Sequence, residues 1–213
     1  MNLTYVSWPG ELTDAFSELA GKILDKEIPI DIYKTEQIKS LTGVPKQHHY
    51  RHLYKHDSKW NNIIPKNYIA IFDKHLTPVI HTISEIKIFT FDNYSSLPLH
   101  VDIGRHCVIN FPIKINKEQK LLVLNREMQE GEIDLYIDAK ADGTWNEKRN
   151  QKLESLGEDL VEREMKQCAI LNTKVWHTVI NKTADERIQI AFEPHRDFYY
   201  KDIVKLFKDN GWA

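Results

Sequence analysis

Hydrophobic positions near the start of the chain recur with the period of a helix. In the segment ELTDAFSELAGKIL, Leu12, Phe16, Leu19 and Ile23 are spaced three or four residues apart. Apolar side chains at this spacing form one stripe along a helix, and Pro9 is suited to its first turn. The pattern therefore predicts an amphipathic helix that buries this stripe.

The same reasoning predicts helices over 35–41 and 65–75, so that residues 1–80 are mostly helical. A further helix is predicted over 197–210. Residues 140–165 are highly charged, which indicates a surface excursion that contains a helix.

From residue 85 onward the pattern changes to short runs rich in Val, Ile, Phe and Tyr and bounded by turn residues, which predict β-strands. The seven runs are 85–91, 106–113, 120–125, 132–138, 166–172, 174–181 and 187–194. Seven short strands indicate a sandwich or a barrel. In the last run, Ile188, Ile190 and Phe192 share one face and predict packing against the N-terminal helices. Its other face carries polar groups that suit the lining of a pocket.

Length and composition fit one globular domain, 1–213, with a helical part (1–80), a β-core (85–194) and a closing helix. The 213 residues are 41% hydrophobic and 28% charged, with a net charge of −2. This charge balance gives no global attraction to nucleic acid or to a membrane, but it does not exclude a local basic patch. Cys107 and Cys168 lie in apolar runs and are expected in the core. The lack of a signal-like start or an 18-residue apolar run indicates a cytoplasmic protein.

A candidate metal site is formed by His100, Asp102 and His177. On an extended strand, residues two apart point to the same side, so that His100 and Asp102 can reach one ion together. His177 lies in a separate predicted strand. Two imidazoles and one carboxylate are the facial triad of non-haem Fe(II) oxygenases. A surface His–Asp pair and a histidine at a strand end are the alternative interpretation.

Arg187 favours the metal site over the alternative interpretation. The segment 181–185, NKTAD, predicts a hairpin turn centred near Thr183, which would place Val179 opposite Arg187. His177 and Arg187 would then share one face, roughly 6–7 Å apart along the strands at about 3.3 Å per residue. A guanidinium at this offset suits the far carboxylate of a five-carbon diacid. Pairing of Arg187 with Glu186 or Asp185 is the alternative.

The order of an HxD motif, a distal histidine and an arginine ten residues later resembles the Fe(II)/2-oxoglutarate-dependent oxygenases. Within residues 85–194, the chain is most similar to the aspartyl/asparaginyl β-hydroxylase-like branch. The similarity lies in the sequence segments LPLHVDIGRHCVINFPI and ILNTKVWHTVIN…ERIQIAF. The resemblance implies a double-stranded β-helix, or jelly roll, of the cupin type. It further implies iron on His100, Asp102 and His177, with Arg187 on the C5 carboxylate of 2-oxoglutarate.

Two departures from that branch stand out. Its well-known members have glycine where this chain has Asp102, and they use an Arg-x-His motif that this chain lacks. Asn110 is the polar residue on the corresponding strand, so that it is a candidate contact to the cosubstrate; a buried Asn bonded to the backbone is the equal alternative.

By resemblance, the reaction is hydroxylation of an unactivated C–H bond by O₂, with release of succinate and CO₂. Family members that halogenate have a small residue at the Asp102 position, which favours hydroxylation here. The substrate class stays open among an amino acid, a peptidyl residue, a nucleotide and other small polar molecules; nucleic acid is not excluded but is not favoured. Rival interpretations are a cupin-type metal-dependent isomerase or small-molecule binding protein, and a jelly-roll interaction protein without metal. The oligomeric state cannot be derived from the sequence.

The segment 45–60, PKQHHYRHLYKHDSKW, interleaves histidines, aromatic residues and cations. Its composition predicts an irregular connection at the substrate entrance, whereas a second metal site is the less favoured alternative. Arg51 and Lys55 are candidate contacts for a carboxylate or phosphate on the substrate. Arg105, in the turn after the HxD motif, is a further candidate substrate contact.

Overall fold

The computed structural model describes residues 2–97, 99–102, 104–115, 118–126 and 159–213. In this part of the chain, three α-helices and one 3₁₀ helix are present: α1 Gly10–Leu24, α2 Lys66–Leu76, the 3₁₀ helix Ile80–Thr82 and α3 Tyr200–Asp209. None of them is long and apolar enough to cross a membrane. The predicted run 132–138 and most of the charged segment 140–165 lie outside the described residues.

The described strands are short and all their pairings are antiparallel. They are β1 Leu3–Tyr5, β2 Lys34–Ser40, β3 Lys46–Lys55, β4 Lys59–Trp60, β5 Ile83–Phe91, β6 Ser95–Ser96, β7 Cys107–Lys114, β8 Gln119–Leu124, β9 Leu160–Arg163, β10 Ala169–Asn172, β11 His177–Asn181 and β12 Arg187–Pro194. The chain is therefore mainly β with flanking helices, as the sequence predicted.

Two sheets share these strands. The first runs in the order β1-β10-β7-β12-β5-β3-β2, with β4 on β3, and the second runs β6-β11-β8-β9. Strand β2 joins them, because residues Lys34 to Ile38 pair with β3 while Lys39 and Ser40 pair with β6. From β5 to β12, the chain passes repeatedly from one sheet to the other.

The first sheet is covered on its outer face by helices. The predicted stripe of α1 is buried there, and Phe16 stacks on Phe72 of α2 with ring centroids 4.2 Å apart. Phe16 also meets the edge of Phe192 on β12 at 5.4 Å. Ile188 and Ile190 belong to the same cluster. The predicted packing of this strand face under the N-terminal helices is confirmed.

A second cluster fills the space between the two sheets. Phe91 and Ala191 contribute to it from the first sheet, and Leu121, Val123 and Val179 contribute from the second. Because alternate residues of a strand point to the same side, these side chains identify the inward faces of β5, β8, β11 and β12.

The prediction that residues 1–80 are mostly helical is wrong, because strands β1–β4 lie there together with α1 and α2. Residues 35–41 are not a helix but lie largely in β2, and residues 45–60 form the β3–β4 hairpin rather than an irregular connection. The described end of the charged segment contains the strand β9; the rest of that segment, with the predicted helix, lies outside the described residues. For β2, pairing with β3 and β6 outweighs the helix propensity of its Glu, Gln and Lys residues.

The segment 181–185 does not close a hairpin either. Strand β11 pairs with β6 and β8 in the second sheet, whereas β12 pairs with β5 and β7 in the first. The turn, in which the Asn181 side chain accepts hydrogen bonds from the backbone N–H (3.1 Å) and Oγ1 (2.8 Å) of Thr183, carries the chain from one sheet to the other. His177 and Arg187 therefore come from opposite sheets.

Candidate metal centre and adjoining cavity

The three predicted metal ligands come together. His100 lies just after β6 and pairs with His177 of β11 through two backbone hydrogen bonds, of 3.0 and 2.9 Å. The backbone N–H of Asp102 donates to the carbonyl of Thr173 at 2.9 Å. One ligand atom from each of the three side chains lies within 4.8 Å of the other two.

His177 is held in the form that a metal requires. Its Nδ1 lies 2.9 Å from the carbonyl oxygen of Val175. A carbonyl only accepts, so that Nδ1 carries the proton and the Nε2 lone pair is left for a cation. Burial, reinforced by the neighbouring His100, lowers the pKa of His177 to about 3, which keeps the imidazole neutral.

Asp102 is held as an ionised carboxylate. Although burial opposes the charge, Arg105 and the two histidines lower the pKa of Asp102 below its ordinary value. The Arg105 Nε–H donates to Oδ2 at 2.6 Å, while Oδ1 faces His100 Nε2 at 3.7 Å. One carboxylate oxygen is thus directed toward the histidines and the other toward the arginine.

Arg105 has a second carboxylate partner. Its Nη1 donates to Glu193 on β12, and Glu193 in turn lies 2.9 Å from the Lys87 ammonium. Lys87 also lies 2.8 Å from Glu85. Arg105, predicted to contact substrate, does border the cavity described below, but its guanidinium is engaged by two carboxylates of the protein.

Arg187 has a different environment. Its side chain is 2% exposed, and burial lowers its pKa to about 9. Its Nη2 donates to the Gln189 side chain, whose amide donates at 3.0 Å to Asn110. Within the described residues, no carboxylate pairs with Arg187, and its buried Nε–H lacks an acceptor. A buried guanidinium of this kind calls for an anion.

Gln119 is a second buried donor that the sequence analysis missed. It is 3% exposed, and neither end of its side-chain amide has a hydrogen-bond partner in the described part of the chain. It points between the sheets, because it alternates with Leu121 and Val123 along β8.

Gln119 and Arg187 lie at the same end of the two sheets. Gln119 pairs with Asn181, and Arg187 pairs with Phe91. The Asn181 amide donates at 3.0 Å to the carbonyl of Asp92, next to Phe91, and so joins these two pairs.

A cavity of about 390 Å³ adjoins the triad. His100, Asp102, Arg105 and Glu193 border it at one end, and strands β2, β3 and β5 supply the rest of the wall. His48 and Tyr50 of β3 line this cavity, so that the segment 45–60 does border the site.

The two predicted contacts of that segment differ. Arg51 pairs with Ile88, whose side chain belongs to the helix-side core, so that Arg51 lies on the face of β3 away from the cavity. The Lys55 ammonium lies 5.8 Å from the ring centroid of Tyr33, which lines the cavity. In the described part of the chain, the histidines of this segment form no metal-capable group; the triad is the group found there.

The sequence analysis also missed Lys87, and it included Glu193 only as part of the polar face of the strand 187–194. Lys87 on β5 and Glu193 on β12 both line the cavity. A charged side chain on the inward face of a strand was the available signal, because burying it requires a partner or a function.

No protein-family model matches the chain, and no curated protein sequence is significantly similar to it. Solved structures do match. A prolyl hydroxylase from Trichoplax adhaerens, in complex with a peptide fragment of the hypoxia inducible factor oxygen degradation domain, aligns with a TM-score of 0.52 and 7% identity over 95% of this chain and 85% of that chain.

Two further matches have lower TM-scores. A Pseudomonas putida prolyl-4-hydroxylase aligns with a TM-score of 0.46 and 9% identity over 92% of this chain and 93% of that chain. HygX from Streptomyces hygroscopicus, with nickel and 2-oxoglutarate bound, aligns with 0.45 and 12% over 86% and 81%. The match to the Trichoplax enzyme shows that the two proteins share a fold.

Proposed function

We propose that the chain is an Fe(II)- and 2-oxoglutarate-dependent oxygenase that hydroxylates a C–H bond. The observation that carries the proposal is that one chain holds both the His100–Asp102–His177 group and Arg187, a buried guanidinium whose Nε–H lacks an acceptor among the described residues. A metal-only cupin would need no such arginine. The shared fold with a prolyl hydroxylase agrees with this function.

The donor set fits Fe(II). Two neutral imidazoles and one carboxylate suit a cation of intermediate softness, and the described site contains no thiolate. His100, Asp102 and His177 would hold the ion. When bound, iron together with 2-oxoglutarate and O₂ would supply the oxidising chemistry. The protein contributes orientation and the exclusion of water.

Arg187 would bind the far carboxylate of 2-oxoglutarate. Its Nε–H is free to donate, and its Nη2 is already oriented by Gln189. Asn110 would act through Gln189, to which it is bonded, rather than on the cosubstrate directly. Gln119 would donate to the same carboxylate from the opposite sheet, because its unpartnered amide lies at the same end of the sheets.

The arrangement of β5–β12 supports a double-stranded β-helix of the jelly-roll type. In chain order, these strands belong to the first, second, first, second, second, first, second and first sheet. The assignment to the aspartyl/asparaginyl branch stays a hypothesis that rests on the similarity of sequence segments around His100 and His177.

The test is binding of 2-oxoglutarate to protein loaded with Mn(II), followed by succinate formation with Fe(II) and O₂. His177→Ala should abolish most metal binding. Arg187→Ala should leave metal binding intact but weaken 2-oxoglutarate by about 30- to 1000-fold, which corresponds to roughly 2–4 kcal/mol. Arg187→Lys should also bind weakly, because an ammonium cannot replace the planar fork. Unchanged 2-oxoglutarate affinity in Arg187→Ala would refute the proposal.

A further inference from the structure

The cavity beside the triad has an aromatic wall. The rings of Tyr50 and Phe89 meet edge to face with centroids 4.5 Å apart, and Tyr33 lies 6.0 Å from Tyr50 at the mouth. These rings offer flat apolar surface, and the two tyrosines add phenol groups that form hydrogen bonds. A planar ring with polar substituents is complementary to such a wall.

Every charged side chain at the inner end of this wall already has an opposite charge beside it. Lys87 lies between Glu85 (2.8 Å) and Glu193 (2.9 Å). Arg105 lies between Glu193 and Asp102. These groups are largely buried, with side chains between 10% and 32% exposed. The cations in the wall are therefore neutralised by the protein itself.

The outer end is also neutralised. Glu36 pairs with Lys34 and accepts hydrogen bonds from His48 Nε2 at 2.7 Å and from the Tyr50 hydroxyl at 2.9 Å. Although partial burial opposes its charge, these partners lower the pKa of Glu36 to about 2, so that it stays ionised near neutral pH. Among the described residues that line the cavity, each lysine and arginine has a carboxylate partner, so that none is left to support the expected preference for a carboxylate or phosphate.

We infer that this cavity is the substrate site and that it takes an uncharged aromatic or heteroaromatic ring bearing amide or hydroxyl groups. The inference rests on the proposed function and names its substrate class. An ionic substituent would lose its water on entry without gaining a free partner, whereas amides and hydroxyls can share the hydrogen-bonding groups of the wall.

Three probes of one shape and different charge test this: benzamide, benzoate and benzylamine, the last protonated at pH 7. The protein is loaded with Mn(II) and saturating 2-oxoglutarate, and the paramagnetic relaxation of each probe's ring protons is measured by NMR. Relaxation reports binding close to the triad. Benzamide should bind at least about tenfold more tightly than either ion, as expected when an ionic group is buried without a partner.

The Lys87→Met variant is a more specific test, because it keeps the shape of the side chain but removes the positive charge that lies beside Glu85 and Glu193. In this variant, benzylamine should become the preferred probe. Lys120→Met is the matched control, since it breaks an ion pair with Glu162 on the outer face of the second sheet. It should leave the order of the three probes unchanged.

Benzoate binding as tightly as benzamide in the unmodified protein would overturn the inference. So would the absence of relaxation for all three probes, or an unchanged order in a folded Lys87→Met variant. These failures differ from failure of the proposed function, which would appear earlier as loss of Mn(II) or 2-oxoglutarate binding.

Discussion

At the scale of single residues, the proposed site depends on side chains that hold the proposed metal ligands in place. Arg105 is the main example, because its 2.6 Å hydrogen bond occupies one oxygen of Asp102 and leaves the other facing His100. The side chain of Lys174 adds a hydrogen bond of 2.8 Å to the Asp102 carbonyl. Such outer contacts orient a ligand before the cation arrives.

We therefore predict that Arg105→Gln weakens binding of Mn(II) by about 10- to 100-fold, the usual effect of removing an outer-shell partner. The measurement is a metal titration followed by electron paramagnetic resonance. The absorption spectrum of the Co(II)-loaded protein should change as well, since Asp102 is free to reorient. Lys120→Met serves as the control for loss of a cation. An unaltered affinity and spectrum in Arg105→Gln would show that Asp102 needs no such support.

Gln119 leads to a second prediction at this scale. If its amide donates to the far carboxylate of 2-oxoglutarate, Gln119→Leu should lower the affinity by about 10- to 150-fold, as expected for a hydrogen bond of roughly 1.5–3 kcal/mol to a charged group. Gln119→Glu should bind still more weakly, because two carboxylates would meet. Calorimetry on the Mn(II)-loaded protein measures both. Equal affinity in all three proteins would remove Gln119 from the site.

At the scale of elements, the helices and the site occupy opposite faces of the first sheet. Phe16 of α1 is fully buried against α2 and β12. Phe16→Ala should lower the free energy of unfolding by about 3–5 kcal/mol, the usual range for a large core truncation. Urea denaturation measures this change. Metal affinity of the folded fraction should stay the same, because the helix-side cluster shares no residue with the triad; a large loss would contradict this separation.

Some of the secondary-structure elements could be predicted from the sequence, and others could not. The strand 187–194 and the stripe of α1 were predictable, because a period of two or of 3.6 is a local property of the chain. Strand β2 was not, because its Lys-Thr-Glu-Gln composition suits a helix and only pairing with β3 and β6 selects a strand.

The predicted hairpin at 181–185 failed for a related reason. A short polar turn indicates a change of direction but not the sheet that the next strand joins. Gln119 could not be proposed from the sequence for the same reason. Its proposed role depends on its register opposite Asn181 and on the position of Arg187 in the other sheet, not on its neighbours in sequence. His100, Asp102 and Arg187 could be proposed from the sequence because ionisable side chains are unusual among apolar strand-like segments.

At the scale of the whole molecule, the proposed ligands connect the two sheets. His100 and His177 extend the second sheet, and Arg187 belongs to the first. A diacid held by Arg187 at one end and by the metal at the other would join the sheets across their shared core. Ligands that bind only the folded chain stabilise it by mass action, by about 2.7 kcal/mol at one hundred times the dissociation constant.

We therefore predict that Mn(II) and 2-oxoglutarate stabilise the protein cooperatively. The urea midpoint should rise more with both ligands than the sum of the separate rises, because the metal completes the site for the diacid. In His177→Ala, 2-oxoglutarate should add little with or without Mn(II). In Arg187→Ala, the rise with Mn(II) should persist while the further rise with 2-oxoglutarate is lost. If 2-oxoglutarate alone raised the midpoint of the unmodified protein as far as it does with Mn(II), its binding would be independent of the triad. The two sheets would then lack the bridge that the proposed chemistry requires.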